Sequence, residues 1–199
     1  NTCYLAAVSE LTGHSTTQLR MTTCGKCKTK RFLPGGGDPL SPTTCSKCGH
    51  PVIVPVQIRQ FELREVVASG GMGTVFRAFD RTLERLVAVK FLKREMAQDK
   101  EVLESFYREA RAGAALNHTN IIHIYTFDEF EGQPFLVMEL ADNGSLDSRI
   151  EQADGVSELA ALDVGIRIAS ALQSALQHQM LHRDIKPANI LFDDESGRA

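Results

Sequence analysis

Four cysteines in two pairs are the first residues here whose spacing can do chemistry. Cys24-Gly25-Lys26-Cys27 and Cys45-Ser46-Lys47-Cys48 are separated by 17 residues, giving C-x2-C-x17-C-x2-C. Two residues between cysteines make a tight knuckle that aims both sulfurs at one ion, and this spacing lies within the window of a tetrahedral zinc site. Four thiolates close the coordination sphere, so such a metal would be structural. Disulfides, free thiols and a four-thiolate iron site are the other chemistries open to the same residues. A second set lies further on. Three glycines fall within four residues at Gly70, Gly71 and Gly73, and such a turn can lay backbone N–H groups against phosphate oxygens. Lys90 interrupts the apolar run Arg85–Leu92, where an amine needs a partner. Glu109, one turn from Phe106 in an amphipathic segment, is its natural partner. Asp184, Lys186 and Asn189 then stand together in His182-Arg183-Asp184-Ile185-Lys186-Pro187-Ala188-Asn189.

The elements that must position these residues can be read from patterning. A module of about 30 residues around the cysteines buries too little apolar surface to fold alone, and a metal would supply the missing stabilisation. Thr29 to Leu33 is expected as one strand, residues 34–39 as a turn and Thr43-Thr44 as the returning strand. Lys26, Lys28, Lys30, Arg31 and Lys47 make this module basic. A solvated basic face explains them better than a nucleic-acid surface, because Phe32 is the only aromatic among them. Pro51 and Pro55 bracket three apolar residues and read as an extended spacer or edge strand. Beyond it, strands are expected from Phe61 to Val67, through Arg85–Leu92, from His123 to Glu129 and from Gln133 to Glu139. A helix is expected from Asp99 to Leu116, with Val102, Phe106, Ala110, Gly113 and Leu116 on one face. A short helix begins near Leu146, and a long one runs from Glu158 to Met180 with Leu159, Leu162, Ile166, Ala169, Gln173 and Leu176 as its apolar stripe.

The glycine turn, Val87-Ala88-Val89-Lys90, Glu109 in the following helix and the Asp184 motif, in that order, resemble a eukaryotic-like (Hanks-type) protein kinase of the bacterial serine/threonine class. The resemblance covers Phe61 to Ala199, and the cysteine module resembles a zinc ribbon. It implies an α+β fold: a kinase N-lobe of antiparallel sheet plus one main helix, then the start of a helical C-lobe. The organisation expected is an undefined segment 1–20, a ribbon 21–50, a linker 51–60 and a kinase domain 61–199 that stops short of Asp-Phe-Gly, with Met21 as a candidate start.

The resemblance also implies roles. Gly70, Gly71 and Gly73 would close over the ATP phosphates, while Val75, Ala88 and Leu191 would sandwich adenine. Met138 would be the gatekeeper, and Glu139 and Ala141 would offer hinge backbone groups. Lys90 would grip the phosphates, oriented by Glu109. Asp184 would accept the substrate proton, Lys186 would neutralise the transferring phosphoryl group, and Asn189 would hold Mg2+. Cys24, Cys27, Cys45 and Cys48 would hold Zn2+. A lysine two residues after Asp184 points to serine/threonine substrates. Ala68 departs from the pattern, standing where the family usually has its first glycine.

Composition agrees with a folded, globular chain. Of 199 residues, 43% are hydrophobic and 24% charged, with a net charge of −3. That excludes wholesale disorder and a surface built throughout for nucleic acid. Residues 1–20 lack the basic start and apolar core of a signal peptide. A cytoplasmic kinase acting on protein hydroxyls is the expectation, the ribbon serving as a docking or regulatory module for a partner. A noncatalytic, pseudokinase-like scaffold is the alternative.

Overall fold

The computed structural model describes residues 19–34, 40–152 and 155–193. Two short hairpins come first. β1 (Leu19–Thr23) pairs antiparallel with β2 (Lys30–Pro34), and β3 (Thr43–Thr44) with β4 (Pro51–Val52). Each hairpin turns through one cysteine pair. The expected pairing of 29–33 with 43–44 is therefore replaced by two local hairpins. The reason is visible in the chain: Thr22–Thr29 and Thr43–His50 are two versions of one eight-residue unit. In each, the first cysteine's N–H donates to the carbonyl five residues on (Cys24 to Thr29, 3.0 Å; Cys45 to His50, 2.9 Å). The N–H four residues on returns to that cysteine's carbonyl (Lys28 to Cys24, 2.9 Å; Gly49 to Cys45, 2.8 Å). The turn also needs a left-handed backbone at one place, and Lys28 (φ 55°) and Gly49 (φ 73°) supply it at matching positions.

A six-stranded antiparallel sheet follows: β5 (Val56–Ile58), β6 (Phe61–Ser69), β7 (Gly73–Asp80), β8 (Arg85–Leu92), β9 (Ile124–Phe130) and β10 (Gln133–Met138), ordered β5-β6-β7-β8-β10-β9. Short α1 (Arg94–Ala97) and α2 (Lys100–Ala115) lie between β8 and β9. Asp99 caps α2, its carboxylate accepting from the N–H groups of Glu101 and Val102 at 2.9 and 3.3 Å. Phe106 and Ala110 of α2 pack on Leu92 and Leu136 from the sheet. Gly113 brings the helix against Ile124, whose Cδ1 lies 2.5 Å from where a Cβ would stand.

The main core gathers Phe61, Leu63, Phe76, Val89, Phe91, Phe135 and Val137. Phe91 stacks on Phe135 at 4.9 Å between centroids and meets Phe76 edge-on at 5.9 Å. Leu40 and Ile53 belong to this same core, and β5 is the sheet's edge strand. Residues 51–60 are therefore shared between the two halves of the chain, with Pro51 and Val52 closing the second knuckle and Ile53 and Ile58 buried at 2% and 1% exposure. The prolines permit extended backbone; the core decides where it goes.

After β10 come α3 (Leu146–Gln152) and α4 (Glu158–Gln177), the latter capped by Ser157. The face of α4 that packs carries Val164, Ile168, Leu172 and Ala175, not the expected stripe, whose Leu159, Leu162, Ile166 and Leu176 are exposed. The helix is apolar on both sides, so periodicity does not single out one. The apolar stripe of its second face is exposed, with Ser170 beside it 3.0 Å from His118 Nε2. By length and mean hydropathy (1.3) it is also the one described helix apolar enough to cross a membrane.

Candidate active site and metal centre

Strand alternation sets out the first group of expected residues. In the β7–β8 ladder Val75 lies opposite Lys90, Phe76 opposite Val89 and Arg77 opposite Ala88. Phe76 and Val89 enter the core, so Val75, Ala88 and Lys90 share the other face. β10 extends that face, placing Met138 opposite Ala88 and Leu136 opposite Lys90. From α2, Glu109 reaches in, and its Oε1 lies 2.6 Å from Lys90 Nζ. The ammonium also sits 5.8 Å from the Phe106 ring centroid.

The glycine hairpin joins β6 to β7 across this face. Gly70 N–H donates to the Gly73 carbonyl at 2.9 Å, and Lys93 N–H to the Met72 carbonyl at 3.0 Å. Around Gly70 and Gly71 a Cβ would meet nothing within 4 Å, leaving backbone open to a ligand. Gly73 differs, because a Cβ there would overlap the Phe91 carbonyl. Its smallness serves the close approach of β7 to β8, a requirement that motif reading does not reveal.

Past β10, Glu139 N–H donates to the His123 carbonyl at 2.9 Å and its carboxylate accepts from His123 N–H at 3.1 Å. These bonds fix the connector that continues through Ala141. Ser145 and Leu191 form a β-bridge, flanked by bonds from Asn143 N–H to Phe192 O and from Leu146 N–H to Ile190 O. Leu191 is thereby held beside the connector. Sequence reading missed one contact here, an ion pair between Arg77 and Asp142 at 3.4 Å. The signal was available: Arg77 follows Val75 by two residues and so shares its face.

The third group is Asp184, Lys186 and Asn189. Lys186 Nζ lies 2.9 Å from Asp184 Oδ2, and Asn189 Nδ2 donates to both the Asp184 carbonyl and Oδ2 at 2.9 Å. These bonds, the Lys186 one first, hold the Asp184 carboxyl below the usual carboxylate range. With Nδ2 committed to Asp184, Asn189 has its amide oxygen left to face a cation. Arg183 takes a left-handed backbone (φ 63°) that turns this loop. Of the acidic run at 193–195, only Asp193 is among the described residues.

The four paired cysteines converge. All four sulfurs lie within 4.8 Å of one another, with Cys24–Cys48 at 3.6 Å and Cys27–Cys45 at 3.7 Å. Four thiolates about 2.3 Å from a tetrahedral zinc would stand about 3.8 Å apart, so the donor set fits that ion. The thiolate of Cys27 is favoured by the Thr29 hydroxyl, 3.3 Å away, and backbone N–H, which lower it to about 6. Backbone N–H groups of Lys47 and Cys48 lower Cys45 likewise. At Cys48 the His50 N–H is outweighed by burial and the three neighbouring sulfurs, which push it up to about 11, since crowded thiols resist ionising together.

A twisted antiparallel sheet with a glycine hairpin, a Lys–Glu pair bridging to its helix, and a connector leading to an Asp–Lys–Asn loop define the protein kinase class. The chain belongs to the protein kinase domain family, which it matches over residues 61–198. It is 37% identical over 134 residues to the serine/threonine-protein kinase PrkC of Bacillus subtilis, covering 67% of this chain and 21% of that protein. To the serine/threonine-protein kinase PknA of Mycobacterium tuberculosis it is 41% identical over 138 residues, covering 67% and 32%. The chain thus spans about a fifth to a third of the length of these relatives. Among solved structures, the PknI kinase domain of Mycobacterium tuberculosis superposes with a TM-score of 0.61 at 26% identity, covering 72% of this chain and 59% of that one.

Proposed function

We propose that this chain is part of an ATP-dependent serine/threonine protein kinase whose N-lobe carries a structural zinc centre. The observation that carries the reading is the 2.6 Å Lys90–Glu109 pair, formed beneath an open glycine hairpin. Lys90 would hold the α- and β-phosphates, with Glu109 fixing its direction. Gly71 offers a backbone N–H group to the phosphates, while Gly70 and Gly73, joined by their own 2.9 Å bond, keep the turn tight and free of side-chain bulk over them. Val75, Ala88 and Leu191 bound the adenine, Met138 closes the back, and Glu139 and Ala141 present backbone groups to its edge. A substrate serine or threonine oxygen attacks the γ-phosphorus as the bond to the β–γ bridging oxygen breaks. The hydroxyl proton passes to Asp184, ADP leaves, and Lys186 offsets charge on the transferring group. Asn189 would hold a magnesium ion, which when bound supplies charge neutralisation at the phosphates. Cys24, Cys27, Cys45 and Cys48 would hold zinc, whose chemistry here is cross-linking alone. ATP as donor and reduced thiols suit the cytoplasmic side of a membrane.

The test uses the full-length protein with Mg-ATP and a serine/threonine peptide library. Phosphate incorporation that disappears in Asp184→Asn, with nucleotide still bound, is the expected result. Undiminished transfer by that variant would remove Asp184 as the base, and absence of transfer by the parent protein would favour a scaffold.

A further inference from the structure

The two cysteine units differ where it matters for the rest of the molecule. Position four of the first is Gly25; in the second it is Ser46. Gly25 does not have the positive φ that would demand glycine. A Cβ there would instead stand 2.8 Å from Oε2 and 3.2 Å from Cδ of Glu65, on β6. The first knuckle therefore lies against the Glu65 side chain of β6, four residues before the strand ends at Ser69 and the glycine hairpin begins. A second link lies beneath. The Thr22 hydroxyl donates a buried 2.6 Å bond to the Ile53 carbonyl, and Ile53 is packed into the core with Leu40. The segment between these two residues contains the second knuckle.

We infer that the cysteine module and the glycine hairpin form one coupled unit, so that metal at the four sulfurs sets the affinity of the nucleotide pocket. The inference rests on the metal and nucleotide readings above and adds the regulation that joins them. Without a cross-link, the hairpins of β1–β4 have few buried contacts of their own, namely Cys24, Leu33, Cys45 and Val52. Their loosening withdraws Leu40 and Ile53 from the core and the knuckle from β6. Strand β6 then loses the support that fixes the Gly70–Gly73 turn and where Gly71 presents its N–H group. Metal binding and nucleotide binding each favour the same packed arrangement, and their coupling is reciprocal.

The full-length protein tests this by metal content and by equilibrium binding of a non-hydrolysable Mg-ATP analogue. The zinc-loaded protein is expected to bind the analogue at least about tenfold more tightly than the chelated one, within the usual range of coupling between sites. The Glu65 side chain can swing away from a methyl group, so Gly25→Glu, which adds bulk and like charge, is the informative variant. It is expected to keep its zinc yet bind the analogue several-fold more weakly. Glu65→Ala in the same chain is expected to restore affinity, and Ser46→Glu to leave it unchanged. Equal affinity with and without zinc, or equal effects of Gly25→Glu and Ser46→Glu, overturns the inference while leaving both earlier readings intact. A protein without zinc overturns the metal reading and the coupling with it. Zinc without analogue binding in any form overturns the nucleotide reading and the coupling.

Discussion

Replacing Glu109 by Gln separates a positioning role from a stabilising one. The carboxylate is 55% exposed and its partner Lys90 23%, so water screens the 2.6 Å pair. Exposed pairs contribute about 0.2–1 kcal/mol to stability, which for a domain of this size is at most about 4 °C in Tm. Lys90 also keeps the Phe106 ring, 5.8 Å away, as a second attraction. The fold should therefore survive almost unchanged. Catalysis should not. Among the described residues Glu109 alone hydrogen-bonds the lysine, and the ring attraction is not directional enough to aim it. A displacement of about 1 Å at a phosphate-holding group costs on the order of 100-fold in rate. That factor corresponds to about 2.7 kcal/mol of transition-state stabilisation. The assay is kcat/KM for ATP on the full-length enzyme, alongside thermal unfolding. A rate loss under about threefold would refute the positioning argument. So would a large fall in Tm, since the pair would then be holding the lobe together and not the lysine in place.

Other substitutions test other parts. Gly73→Ala should destabilise by about 1–3 kcal/mol, because the Phe91 carbonyl is backbone and cannot move aside; Gly71→Ala, with open space around it, should be near neutral in the same denaturation series. Ile53→Ala should cost about 2–5 kcal/mol of unfolding free energy, as a core residue does, whereas a spacer residue would register almost nothing. Asp184, with its pKa held low, contributes stability that is present above the ordinary aspartate value and lost as pH falls through the lowered one. Lys186→Met removes the larger cause, so carboxyl NMR should show Asp184 titrating at higher pH in the variant; an unmoved titration would deny the 2.9 Å bond its effect.

Helix α2 and strand β8 were legible because several signals agree in each. Asp99 caps a face of Phe106 and Ala110, and β8 occupies Arg85–Leu92 as read. Lys90 stood out as an amine among valines, and its partner lay at helical spacing from Phe106. Residues whose surroundings come from elsewhere in the chain were harder. The strand pairing of the cysteine module was misjudged, although the repeated Thr-Thr-Cys-x-Lys-Cys points to two equal hairpins. Pro51 and Pro55 read as an extended spacer or edge strand, and only the core shows that Ile53 is wanted there. On α4, both faces are apolar, so no local pattern distinguishes the packed side from the exposed one.

The proposed dependence of the nucleotide site on the cysteine module runs through the sheet. Along β7 and β8, residues on one face enter the core: Phe76, Ala78, Val87, Val89 and Phe91. Those between them, Val75, Ala88 and Lys90, face the other way. The two sets are locked together by the period of a strand, since a slip of one residue would turn Lys90 into the core and Val89 out of it. Burial of the core face thus holds Lys90 toward Glu109, and that face is completed by Leu40 and Ile53 from the cysteine module. A segment remote from Lys90 can therefore bear on where that amine is held. It acts through the register of the strands, whose cost of error is a charged amine among phenylalanines.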